Sequence, residues 1–219
     1  MLTNAEISLL GLGLWETIYM TVLSTLFAYI IGLPMGVVLV TSDKDGILPM
    51  PKTNKVLNIV VNLVRSVPFL ILLVAVIPFT RLVVGKAYGC NATIVPLVIA
   101  AAPFVARLVE SSLREIDKGM IEASLSMGAG PWQIIRKVLL PEAKPSLILG
   151  AAIATTTILG YSAMAGFVGG GGLGTIAINY GYYRYQTGIM LITVVLLVVV
   201  VQIFQEIGDR LAVRSDKRK

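Results

Sequence analysis

From residue 145 to residue 183 the chain runs 39 residues without a formal charge. Residues 17–42 and 185–205 form two further uncharged, strongly apolar runs. A helix needs about 20 mainly apolar residues to cross the hydrocarbon of a bilayer. A chain of 219 residues that devotes this much of itself to such runs has little left from which to build a water-facing shell. The composition agrees, at 56% hydrophobic and 14% charged with a mean hydropathy of +0.86. The expected fold class is an all-α membrane protein, organised as a single transmembrane domain over residues 1–219.

Five spans are expected, at about 17–42, 56–80, 91–111, 145–168 and 186–207. The second carries Arg65 in its first third and kinks at Pro68 and Pro78; the third carries Arg107 near its end. The 39-residue run is read as one span followed by an external loop. Its tract Gly169 to Gly174 is a poor helix interior, each glycine costing up to about 1 kcal/mol against alanine. The cluster from Asn179 to Tyr185 looks interfacial, where tyrosine is enriched. With the amino terminus outside, the internal loops and tail hold Lys44, Lys52, Lys55, Arg114, Lys118, Arg136, Lys137, Lys144, Arg210, Arg214, Lys217, Arg218 and Lys219, which is thirteen of the eighteen basic residues. A sixth span would move the basic tail to the other face, against the positive-inside rule. The carboxyl terminus is therefore expected in the cytoplasm. The first sixteen residues hold Glu6 and Glu16 and no basic residue, so no cleaved signal is expected.

Several function classes lose their chemistry at this point. Cys90 is the one cysteine and there is no histidine, so no intrachain disulfide, Cys/His metal site or Ser-His pair can be built. No carboxylate lies in the middle of a span, which removes the usual equipment of an ion-coupled transporter or a membrane-embedded acid–base enzyme. The net charge of +6 is spread between apolar runs and orients the chain rather than forming a nucleic-acid surface.

Against this background the insert EASLSMGAGPWQIIRKVLLP, residues 122–141, is polar and punctuated by glycine and proline. Two short helices are expected within 117–141. Asp117 caps the first, Gly128 stops it, Pro131 opens the second and Pro141 ends it. On the second helix Ile134, Ile135, Val138 and Leu139 fall on one side, Gln133, Arg136 and Lys137 on the other. An apolar side too short to span must lie against something. Either it rests on the protein's own surface or on lipid headgroups, or it docks a soluble partner.

Glu122-Ala123-Ser124, Gly128, Val138, Leu140 and Pro141 resemble the signature E-A-A, three residues, G, nine residues, I, any residue, L-P of ABC-importer membrane subunits. The departures are Ser124 for alanine and Val138 for isoleucine. The stretches RSVPFLILLVAVIPFTRLVVG (65–85), AAPFVARLVE (101–110) and GYSAMAGFVGGGGLG (160–174) are similar to the methionine-import permease family. The resemblance covers the chain from about residue 15 to 210. It implies a type I ABC importer permease fold in a bacterial inner (plasma) membrane. It makes residues 117–141 a coupling helix segment, with Glu122, Ala123, Ser124, Gly128, Leu140 and Pro141 meeting the ATPase. It also implies a homodimer, two ATP-hydrolysing subunits that use ATP and Mg2+, a substrate-binding lipoprotein, and methionine as cargo. No cofactor and no hydrolysis are expected in this subunit, and no G-x-x-x-x-G-K-[ST] phosphate loop occurs in it. A permease for another amino acid or a small peptide is the alternative within the family, and an ion-coupled secondary transporter the one outside it.

On the fourth span Thr157, Tyr161 and Met164 share a face, and Thr155 and Ser162 another. Met164 is the candidate gate, a flexible side chain between two alanines that can seal against its symmetry mate; ordinary core filling is the competing account. For Thr157, Ser162 and Thr155 the competing account is packing between helices. Glu110 is expected to pair with Arg107 and Arg114 on one helix face. Arg65 lies deeper and either serves the pathway or reaches the inner interface.

Overall fold

The computed structural model describes residues 3–215, so the basic residues Lys217, Arg218 and Lys219 lie outside the described residues. Every regular element among the described residues is helical. The first, α1 (Asn4–Thr41), is opened by Thr3, whose hydroxyl accepts from the Glu6 amide while the Glu6 carboxylate accepts from the Thr3 amide. This reciprocal pairing satisfies two backbone donors at the helix start. The helix therefore begins thirteen residues before the uncharged run at 17.

Residues expected as one kinked span, 56–80, form three helices: α2 (Pro51–Ser66), α3 (Phe69–Ala75) and α4 (Ile77–Val84). The axis turns by 103° between α2 and α3. Pro68 lacks a backbone donor and disfavours a helical conformation at Val67, which is extended here at ψ 126°, and the helix stops there instead of kinking. Pro78 lies in the first turn of α4, where a missing amide is harmless. Among the described residues four helices are long and apolar enough to cross a membrane, and the bent α2–α3 pair brings the number to five where it is counted as one span.

The third long helix, α5 (Cys90–Arg114), runs parallel to α1 and packs on it more extensively than any other pair. Close approach is built from small residues. A Cβ added to Gly32 would lie 2.7 Å from the Ala102 carbonyl, and one on Gly36 would lie 2.6 Å from the Val109 Cβ. In a bilayer, where burial from water drives little, such backbone proximity supplies the dispersion contact that holds helices together. Val105, Val109, Leu97 and Ala101 on α5, Met20 and Ala28 on α1, and Ile158 from the next long helix make the main core.

After the insert, α9 (Lys144–Met164) continues into a short 3-10 turn, Ala165–Val168. The glycine tract is a brief break and not the start of a loop: α10 (Gly172–Ile176) and a π turn (Ala177–Tyr182) carry the helix on through the tyrosines. Two side chains of α1 make this possible. The Glu16 carboxylate accepts from the Gly172 amide at 2.7 Å, and the Thr17 hydroxyl accepts from the Leu173 amide at 2.8 Å. The free donors of a new helix start thus find acceptors from 156 residues away. The chain ends in α11 (Thr187–Ser215), packed on α9.

Candidate functional site

The insert is joined to the core at both ends with almost no slack. Residues 115–117 separate α5 from α6 (Lys118–Ser126), and Ala143 alone separates α8 (Leu140–Glu142) from α9. The Asp117 carboxylate accepts from the Gly119 amide at 2.7 Å and caps α6. The helix ends where Gly128 adopts φ +79°. The Gly128 amide then bonds the Leu125 carbonyl at 2.9 Å and the Ala129 amide bonds the Ser124 carbonyl at 3.0 Å. That pair of bonds is the Schellman closure, and it needs a residue without a Cβ at its left-handed position.

Pro131 opens α7 (Pro131–Ile134), followed by a π turn (Ile135–Leu139) and α8 (Leu140–Glu142). Pro141 therefore does not end the second helix, as its sequence position suggested; it sits inside a continuous helical path to Glu142. The π turn is the reason. The Leu140 amide bonds the Ile135 carbonyl, one residue further back than in an α-helix, and this wider turn shifts the carbonyl that the proline ring would otherwise strike. The amphipathic split is as expected: Ile134, Ile135 and Leu139 are buried in the main core while Arg136 and Lys137 are exposed.

The signature residues divide between anchor and surface. Ser124 is buried and its hydroxyl donates to the Met120 carbonyl at 2.7 Å. Leu140 is half-buried against the core. Glu122, Ala123, Gly128 and Pro141 are exposed. Residue types that the signature does not include complete this surface: Met127 is 81% exposed and Trp132 is 71% exposed. Their placement beside a Gly-Ala-Gly-Pro turn was the available sequence signal, since neither falls on the helix face that packs inward.

On α9 the structure separates the candidate pathway residues. Met164 is exposed, and Thr157 and Tyr161 are half-buried on the same side. Ser162 is buried on another side. The hydroxyls bond back to their own helix: Thr157 to the Ile153 carbonyl at 2.8 Å, Thr155 to Ala151 at 2.7 Å and Ser162 to Leu159 at 2.7 Å. Tyr161 stacks on Phe69 of α3 with ring centroids 4.5 Å apart and planes 5° from parallel.

A charged cluster lies near the insert end of α5. Glu110 is buried and accepts from Arg107, and from Arg114 at 3.0 and 3.1 Å. Arg114 reaches on to Asp43 at 2.8 Å. Arg107 also donates to Asn58 at 2.7 Å and to Asn62 at 2.8 Å. Asn54, one turn earlier on α2, donates to the Leu39 carbonyl of α1 at 2.7 Å. Asn54, Asn58 and Asn62 thus form a polar ladder at four-residue spacing that ties α1, α2 and α5 together, a periodicity present in the sequence and passed over there. Arg65 is exposed in the last turn of α2. The Arg114 guanidinium, followed by the Lys44 amide, holds the Asp43 carboxyl below its ordinary value.

Residues 28–214 match the family described as binding-protein-dependent transport system inner membrane component. A probable D-methionine transport system permease protein MetI of Vibrio cholerae is 54% identical over 204 residues, covering 93% of this chain and 91% of that protein. The D-methionine transport system permease protein MetI of Escherichia coli K12 is 52% identical over 158 residues, 72% of this chain and 73% of that one. Among solved structures, the MetNI methionine ABC transporter in an inward-facing conformation superposes with a TM-score of 0.97 at 48% identity, over 99% of this chain and 100% of that one. An amino acid ABC transporter solved with histidines shares the fold alone, at TM-score 0.75 and 20% identity. With the helical membrane architecture and the insert both in place, the chain belongs to the family of multi-pass inner-membrane components of binding-protein-dependent transport systems and has the type I ABC importer permease fold.

Proposed function

We propose that the chain is the membrane-spanning subunit of an ATP-driven methionine importer, and that residues 117–141 couple it to a separate ATPase. The observation that carries this reading is the way the insert is mounted. Its exposed edge holds Glu122, whose carboxylate makes no hydrogen bond or ion pair among the described residues, together with Met127 and Trp132. Methionine and tryptophan are enriched at protein interfaces. Its buried edge is fused to α5 and α9 through Ile134, Ile135 and Leu139. A push on the exposed edge cannot be absorbed by a flexible linker, because none exists at either end. It is delivered to α9, which carries Tyr161 and Met164.

In this reading two copies of the chain form the pathway along their twofold axis, with Met164 from each closing its outer end. Two ATPase subunits bind ATP and Mg2+ below, and a lipoprotein presents methionine from outside. The amino terminus lies outside and the insert and carboxyl terminus lie in the cytoplasm, as the distribution of basic residues favours. ATP binding brings the ATPase subunits together, and the paired inserts follow and reverse the access of the pathway. The likeness to the inward-facing relative supports taking the present conformation as the inward-facing one. Likeness to methionine permeases across nearly the whole chain supports the cargo.

The test is reconstitution of the permease with its ATPase and lipoprotein in liposomes. Uptake of labelled methionine is expected to require ATP. Glu122→Ala, or deletion of residues 123–128, is expected to abolish uptake while the membrane subunit stays folded. Methionine uptake that persists without ATP, or that is indifferent to both changes, overturns the coupling role. Preferential uptake of another amino acid or a small peptide reassigns the cargo and leaves the coupling intact.

A further inference from the structure

The break in the second span and the candidate gate are joined by one pair of rings. Phe69 is the first residue of α3, directly after the 103° turn at residues 67–68. Phe69 is 8% exposed and belongs to the main core. Its ring lies almost flat on Tyr161, with centroids 4.5 Å apart. That separation is at the close end of the range for aromatic pairs. Tyr161 precedes Met164 by three residues on α9, so the two side chains lie on one face. The Tyr161 hydroxyl makes no hydrogen bond among the described residues, so the stack, not a polar contact, orients its ring.

We infer that Phe69 is a positioning residue for the gate: through Tyr161 it holds the face of α9 that carries Met164, so that the turn at residues 67–68 and the state of the gate change together. The inference rests on the importer reading above and adds to it how the second span takes part. A flat stack permits sliding but resists separation, because parting the rings exposes both faces without new contacts. If the angle between α2 and α3 changes, Phe69 moves with the start of α3. Tyr161 must follow or lose this ring partner, and Met164 lies one turn away. The loop of force closes at the other end of α9, which is fused to the insert.

The experiment uses the reconstituted complex with a Met164→Cys reporter on a Cys90→Ala background, reading disulfide crosslinking between the two permease copies in each nucleotide state. Phe69→Leu keeps an apolar side chain and removes the stack; Phe69→Tyr keeps the ring, and Tyr161→Phe removes only the hydroxyl. In Phe69→Leu, crosslinking is expected to lose its dependence on nucleotide. The maximal uptake rate is expected to fall severalfold, at most about tenfold for the loss of one aromatic pair, with the KM for methionine unchanged. In Phe69→Tyr and Tyr161→Phe, crosslinking is expected to keep its dependence on nucleotide. The inference is overturned if Phe69→Leu crosslinks and transports like the parent, or if Phe69→Tyr is as damaging as Phe69→Leu. A Tyr161→Phe protein without uptake also overturns it, because the hydroxyl would then be the working group. Should Phe69→Leu not assemble, Tyr161→Leu must show the same nucleotide-independent crosslinking, and normal gating there is equally fatal. A parent that never crosslinks in any nucleotide state counts instead against Met164 as the gate.

Discussion

Removing Glu110 tests whether the charged cluster on α5 supports the fold. Its carboxylate takes one bond from Arg107 and two from Arg114, but these differ in weight. The side chains of Glu110 and Arg107 are 10% and 22% exposed, whereas that of Arg114 is 50% exposed and is also held by Asp43. Losing one partner of a buried pair costs about 3–5 kcal/mol, and incomplete burial argues for the lower figure, about 3 kcal/mol, for Glu110→Ala. An exposed pair contributes about 0–1 kcal/mol, which bounds Arg114→Ala. In a chain of this length about 3 kcal/mol corresponds to a melting-temperature fall of roughly 6–12 °C. The assay is thermal unfolding of the purified permease in detergent, with denaturant titration as a second measure. The double change Arg107→Met plus Glu110→Met is expected to recover most of the loss, since apolar replacement of both partners leaves no stranded charge. Recovery is incomplete because Asn58 and Asn62 then lose their Arg107 bonds. A Glu110→Ala protein that melts no lower than Arg114→Ala would refute this ranking by burial.

Other consequences can be checked alongside. A Cβ on Gly174 would overlap the Ala163 backbone, whereas one on Gly160 meets nothing within 4 Å. Gly174→Ala is therefore expected to destabilise by about 1–3 kcal/mol, and Gly160→Ala to stabilise by up to about 1 kcal/mol, in the same melting assay. Gly128→Ala places a side chain at φ +79°; a cost of about 1–2 kcal/mol is expected locally, read as faster exchange of the amides at positions 128 and 129 than in the parent. Asp43 has a folded pKa held below its ordinary value by Arg114. Its contribution is therefore complete above the unfolded value of about 3.9 and is lost as pH falls through the lower folded value. Melting temperature against pH should show this acid-side loss in the parent and lack it in Asp43→Asn, with no difference between their slopes near neutrality.

The division of information between sequence and tertiary structure follows the range of the forces involved. Uncharged run length specified a helical membrane protein, and the spacing from Glu122 to Pro141 marked the insert with its cap at Asp117, its stop at Gly128 and its inward face at Ile134, Ile135 and Leu139. These are local properties, set within a few turns by backbone propensity and side-chain period. The pairing of Glu110 with both arginines was legible for the same reason, since all three lie on one helix face. What sequence could not decide depends on partners far along the chain. The glycine tract reads as a loop until Glu16 and Thr17, 156 residues away, supply acceptors for a new helix start. Arg107 reads only as a partner of Glu110 until Asn58, 49 residues away, is folded against it. Pro68 was visible as a perturbation, but whether a proline kinks a helix or ends it is decided by what the following segment packs against. Here Phe69 is drawn into the core and onto Tyr161, and that distant contact turns a kink into a break.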